Sequence, residues 1–227
     1  MNIDHVSPDV DIPEGVLINH IFDHQLRLMG KYHDIETKNG INYPEPPWHI
    51  DDSKVQQILK DMFWRTTEEI AEAIEVVPDL VGKNWKETWD AEVIIRHFFE
   101  ELADSLHFLT EASIIANIDA ALDLEPIRKV IIHDGDGNAR TNHDVDGIKK
   151  ICADVIFNLG LAANTLKNKP WKSTQMPTDA NDFKVKLLQT WKANFWMWSE
   201  LGCSMNDVYR LYFRKMQVNS WRQKTNY

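Results

Sequence analysis

Two short stretches of this sequence place carboxylates at helical spacing. TTEEIAEAIE carries Glu68, Glu69, Glu72 and Glu75, and FEELADSLHF carries Glu100, Glu101 and Asp104. Spacings of three and four put Glu69, Glu72 and Glu75, or Glu68, Glu72 and Glu75, on one helical face; the second stretch repeats the pattern. Like charges at such spacing cost an isolated helix about 0.2–0.5 kcal/mol per pair. The apolar neighbours Ile70, Ala71, Ala73 and Ile74, and Phe98, Phe99, Leu102 and Leu106, raise that cost by drawing the charges toward a core. Two acidic faces on consecutive helices make physical sense when a cation sits between them. Oxygen donors suit Mg²⁺, Mn²⁺ or Ca²⁺, whereas zinc or copper would want His or Cys. Because Mg²⁺ is commonly shared between a few carboxylates and substrate phosphates, the pattern points to a nucleotide polyphosphate. The rival explanation is a solvated acidic face on each helix.

Phosphates that a metal does not reach need cationic side chains, and the C-terminal segment YRLYFRKMQVNSWRQKTNY supplies them. Lys215, Asn219 and Arg222 stand at i, i+4 and i+7 on one face, with Tyr212 a turn earlier. Lysine offers a point charge, arginine a planar fork and asparagine a neutral donor. The same residues could merely complement the dipole of a helix end. Two further patterns carry less. Asp134, Asp136 and Asn138 alternate as in a calcium loop, but Ala139 and Val145 stand where that loop needs Gly and Glu. Asp104-x-x-His107 imitates half of a di-iron carboxylate signature, yet Glu69-x-x-Glu72 lacks the matching His. A di-iron bundle oxidase and a non-catalytic helical interaction protein are therefore the alternatives to a nucleotide enzyme.

The elements that position these residues follow from apolar periodicity. Helices are expected over about 16–32, 51–77 (ending before Pro78), 89–121, 144–167, 179–198 and 204–222, giving an all-α bundle of about six main helices. Pro44, Pro46 and Pro47 forbid a regular element between the first two. Gly202 ahead of Ser204 reads as a helix end followed by a new cap. The span 131–147 is expected to be a surface loop inserted in a single domain covering 1–227, with 130–134 as a candidate short strand.

With 227 residues, 43% of them hydrophobic and nine of them Trp, the chain can bury a substantial core. The formal charge of −10 disfavours a general nucleic-acid binder. Cys152 and Cys203 are too few for a disulfide framework, no apolar run approaches the roughly 20 residues of a membrane span, and the first residues lack signal-peptide order. A soluble protein of a reducing, cytoplasmic compartment is expected. Largely apolar stretches such as ANFWMW (193–198) suggest surface for a homodimer.

Glu68-Glu69-x-x-Glu72 followed by Glu101-x-x-Asp104 resembles the all-α nucleoside triphosphate pyrophosphohydrolases. Within that superfamily, the C-terminal run of Gly202, Tyr209, Tyr212, Lys215, Asn219, Arg222, Gln223 and Tyr227 is similar to the dimeric dUTPases and the phage dCTPase/dUTPase enzymes. His107-Phe108 and Gln25 match the same pattern, and Trp85, Lys86 and Trp89 resemble its W-K-x-W segment. Met216 and Asn226 depart from it, standing where Asn and Gly are usual. The resemblance implies Mg²⁺, or Mn²⁺, held by Glu69, Glu72, Glu101 and Asp104. It implies water activation by Glu69 or Glu68, phosphate contacts from Lys215, Arg222 and Lys86, and nucleotide contacts from Asn219, Tyr212 and Gln25. The implied reaction converts dUTP, and with it dCTP or a modified pyrimidine triphosphate, to the monophosphate and pyrophosphate.

Overall fold

The computed structural model describes residues 16–40, 44–81, 89–132, 143–169 and 171–224. Among these, the chain forms helices α1 (Leu17–Lys38), α2 (Ser53–Val81), α3 (Trp89–Ile115), α4 (Glu125–Ile131), α5 (Val145–Thr165), α6 (Ala180–Glu200) and α7 (Met205–Lys224). A π-helical turn, Ala120–Leu124, leads into α4, and no strand occurs among the described residues. The all-α class is as expected.

Short polar side chains start the helices. Asp52 accepts from the Lys54 amide at 2.7 Å at the head of α2. Asp144 and Asp179 cap α5 and α6 in the same way. Ser204 and Asp207 exchange bonds across the first turn of α7, a reciprocal capping box. At the end of α6, Gly202 takes φ +80°, the Gly202 amide bonds the Ser199 carbonyl, and the Cys203 amide reaches back to Trp198. That is the glycine stop the sequence suggests.

Differences from expectation have local causes. The third helix stops at Ile115 rather than near 121, because Asn117 adopts φ +56° and does a glycine's work. The Ile118 amide then closes on the Ser113 carbonyl at 2.9 Å. Asp119 caps the next turn through the amides of Ala121 and Leu122, and Pro126 occupies an early position of α4 where its missing N–H is harmless. Val130 and Ile131 therefore belong to α4 and not to a strand. Arg128 and Glu125 secure this short helix with a buried fork, the shorter contact 2.6 Å. Helix α2 runs past Pro78 to Val81, since a proline that near the end removes one intrahelical bond only. Most of the expected loop at 131–147 lies outside the described residues, as does the calcium-loop pattern; its ends fall in α4 and α5.

Helix α2 packs along α3, α5 along α6, and α2 joins the two pairs; α1 and α7 lie against α3. Leu59, Ile70, Leu102, Leu106, Leu109, Leu159, Leu187, Trp191 and Trp198 fill the shared core. In ANFWMW, Asn194, Phe195, Met197 and Trp198 are buried within the chain itself and Trp196 is half-exposed. Among the described residues, no helix is long and apolar enough to cross a membrane.

Candidate functional site

Ile70 and Ala73 on α2 and Leu102 on α3 are fully buried, and this registration fixes what their neighbours face. Glu69, Glu72 and Glu101 each bring a carboxylate oxygen within 4.8 Å of the others. Glu101 is 8% exposed and receives His97 Nδ1 at 2.9 Å. Burial, a hydrogen bond to Glu101 and the charges of Asp104, Glu101 and Glu72 push Glu69 up to about 8. A site that favours a proton so strongly also favours a cation. Its donors are all oxygens, which fits Mg²⁺ or Mn²⁺.

Asp104 stands beside this trio and pairs with Lys215 Nζ at 2.7 Å. Burial raises its carboxyl above the usual range, against the opposing pull of Lys215 and Arg222. The expected set thus divides into a convergent trio and a fourth carboxylate clamped by α7. Glu68 and Glu75 are exposed and outside the trio. Lys86 and Trp85 lie outside the described residues.

Helix α7 presents more than the expected cations. Arg214 Nη2 meets Glu100 Oε1 at 3.2 Å, one step along from the Lys215–Asp104 pair. Its Nη1 is buried and finds no hydrogen-bond partner among the described residues. Arg222 is exposed but near enough to influence Asp104. Reading Lys215, Asn219 and Arg222 as the face omits Arg214, whose signal was its match to Glu100 across the helix pair.

A cavity of about 690 Å³ opens beside the carboxylates, within the range of small-molecule pockets. Asp104 and Asn219 line it, together with Trp48, Met62 and Phe108. The proline-bearing loop thus walls a cavity, with Trp48 Nε1 donating to the Pro44 carbonyl at 2.9 Å. On the α1 side, Gln25 and Glu111 form a polar wall.

Behind that wall lies a buried network. The Tyr212 hydroxyl donates to Gln25 Oε1 at 2.9 Å, His107 Nδ1 lies 2.8 Å from the same oxygen, and Gln25 Nε2 donates to Glu111 Oε2 at 3.1 Å. The rings of His107 and Tyr212 stack 4.0 Å apart. Burial pushes His107 down to about 3, so the imidazole is neutral. Tyr212, expected at the substrate, is wholly buried and supports Gln25 instead of lining the cavity. His107 likewise faces Gln25 and is not one of the convergent ligands, which removes the support for the di-iron pattern. Glu111, Trp48 and Arg214 escaped the sequence reading. Glu111 was legible in principle, one turn beyond His107 and two beyond Asp104.

Helices that gather three carboxylates, with Asp104 near them lining a cavity of aromatic and polar walls, define an all-α protein with oxygen donors close to room for a small polar ligand. The particular family is given by comparison: a family model described as dUTPase matches residues 49–227, and the chain belongs to that family. No curated protein and no solved structure matches it. Helix α1, which brings Gln25 to the cavity, precedes the matched span.

Proposed function

We propose that the protein is a Mg²⁺-dependent pyrophosphohydrolase of a pyrimidine deoxynucleoside triphosphate, dUTP first and dCTP or a modified pyrimidine with it, releasing the monophosphate and pyrophosphate. The observation that carries this reading is the convergence of Glu69, Glu72 and Glu101 within 4.8 Å of one another, close to Asp104, which lines the cavity. Family membership supports the dUTP part.

Glu69, Glu72 and Glu101, with Asp104 once Lys215 lets go of it, would hold Mg²⁺ or Mn²⁺. The ion would supply neutralisation of the phosphate oxygens and Lewis acidity. Glu69, once the ion has displaced its proton, would accept a proton from water for in-line attack, and exposed Glu68 is the neighbouring candidate for orienting that water. Lys215, Arg214 and Arg222 on α7, and Lys86 by resemblance, face charge on the phosphates and the leaving pyrophosphate. Asn219 and the polar wall position the nucleoside. The working unit is a single domain, 1–227, in a homodimer, as in the enzymes it resembles. A solution mass near the 26.4 kDa of one chain at micromolar concentration would contradict the dimer.

The direct test measures pyrophosphate release from a panel of deoxynucleoside triphosphates, with Mg²⁺ and with chelator. Release confined to pyrimidine substrates and abolished by chelation supports the reading. No release from any of them refutes it.

A further inference from the structure

We propose that the segment joining α5 to α6 forms, with Lys60, a surface that binds single-stranded nucleic acid: one base stacks on Trp171 and the backbone phosphates meet Lys60, Lys167, Lys169 and Lys172. The inference is independent of the hydrolase reading. None of these residues lines the cavity, and Lys60 stands about 13 Å along α2 from Glu69.

Between Thr165 and Ala180 the described residues form no helix, yet they are firmly held. Asn168, 3% exposed, is the centre of the loop. Its amide donates to Gln56 Oε1 at 2.7 Å, and its Nδ2 donates to the Asp51 and Met176 carbonyls, each at 2.9 Å. Its Oδ1 accepts from the Met176 amide at 2.7 Å. Gln56 Nε2 donates to Thr178 Oγ1 at 2.7 Å, and the Thr178 amide donates to Asp51 Oδ1 at 2.6 Å. Matched polar side chains of this kind hold a loop in one conformation. The Lys172 amide closes a turn on the Lys169 carbonyl at 3.0 Å, and Trp171, inside that turn, is 77% exposed.

What this scaffold presents is cationic. Residues 166–178 contain three lysines and no acidic residue, in a chain whose formal charge is −10. Lys60 Nζ joins them by donating to the Leu166 carbonyl at 2.6 Å. Burial, and then the charges of Lys169, Lys167 and Lys172, hold Lys60 below the ordinary lysine range, so the other three lie close enough to repel it. Among the described residues no carboxylate pairs with any of the four. Lys167 turns to Asn164 Oδ1 at 3.1 Å, and Lys169 Nζ sits over the Trp171 ring, 5.2 Å from its centroid. Gathered cations without partners call for an anion from outside.

The exposed indole selects which anion. With Lys169 over one face of the ring, a base on the other completes a stack. A carboxylate-rich peptide offers no ring, and one indole is too little apolar area to anchor a protein to lipid. A duplex hides its base faces in its own stack, so a single strand is the form that fits. Beyond the Debye length of about 8 Å at physiological salt the acidic remainder of the chain is screened, and the local charge decides.

Fluorescence anisotropy of a labelled deoxythymidine oligonucleotide of about 12 residues, in about 50 mM salt, tests the surface with the intact chain. Binding on the order of 10⁻⁵ M is expected, weakening with salt at a log–log slope of roughly 3 for four lysines. Trp171→Ala should weaken binding about tenfold or more, and Trp171→Phe, which keeps a ring, about threefold at most. Replacing both Lys169 and Lys172 by Gln should roughly halve the salt slope. Pyrophosphate release by these variants should match the parent's. An oligonucleotide that the parent does not bind, or that Trp171→Ala binds as tightly as the parent, overturns the proposal. So does equal binding of a duplex, of poly-glutamate or of phosphatidylserine vesicles, each of which would give the surface to another class of anion. A parent inactive on every triphosphate would bear on the hydrolase reading alone.

Discussion

Two polar clusters lie along α3, and they are built on opposite terms. At one, Glu69, Glu72 and Glu101 crowd like charges together, and Glu69 holds its proton up to about pH 8. At the other, Tyr212, His107, Gln25 and Glu111 match donor to acceptor, and burial keeps the imidazole neutral. The first arrangement is incomplete without positive charge. The second pairs its polar groups with one another, although buried His107 Nε2 finds no hydrogen-bond partner among the described residues. Crowded like charges store electrostatic tension that a cation would relieve, whereas matched hydrogen bonds hold their members rigidly in place.

The contrast can be broken first at the charged end. Glu72→Gln removes charge with almost no change of volume. Turnover should fall on the order of 10²- to 10³-fold. The helical circular dichroism should be unchanged, and the metal-free protein no less stable, because a like-charge contact is relieved. Turnover within about tenfold of the parent would exclude a ligand role for Glu72.

At the neutral end the same kind of change should act in the opposite sense. Tyr212→Phe deletes one donor to Gln25 Oε1 and leaves a buried acceptor under-satisfied, so stability should drop by about 1 kcal/mol. KM should rise more than kcat falls, since the tyrosine stands behind the cavity wall and away from the carboxylates. A loss of kcat at unchanged KM would place Tyr212 in the chemistry instead.

The smallest and most diagnostic effect is in pH. Between the ordinary value of 4.5 and about 8, folded Glu69 keeps a proton that the unfolded chain has released. That lowers the stability of the metal-free protein as pH rises, while buried His107, held near 3, makes the opposite contribution below about 6.5, so the net decline is expected above pH 6.5. Saturating Mg²⁺ should flatten or reverse the decline, because a cation replaces the proton. Thermal melts across pH 6.5–8, with and without Mg²⁺, measure it. A metal-free melting point that rises across the window would show that the trio is not frustrated.

The charged end was legible in the sequence because helical periodicity alone puts Glu69 with Glu72 and Glu101 with Asp104. Their convergence needed only that α2 and α3 be neighbours. The division between Glu101 in the trio and Asp104 on Lys215 was not legible, since it depends on how α7 settles against α3. The neutral end joins α1, α3 and α7 across long sequence separations, and its members taken singly are ordinary helix residues. Gln25 came from the family pattern, not from its own surroundings. Asn117 ended a helix in place of the glycine a sequence reader looks for, and that hid α4 behind an overextended third helix.

On the proposed function, the carboxylate trio and the cavity form one site, completed by a cation and a pyrimidine triphosphate together. Isothermal titration of Mg²⁺ in the presence and absence of a non-hydrolysable dUTP analogue tests it most directly. Strongly coupled binding is expected: Mg²⁺ tightens the analogue, the analogue tightens Mg²⁺ by the same factor, and Glu72→Gln removes the coupling. Analogue binding indifferent both to Mg²⁺ and to Glu72→Gln would contradict it.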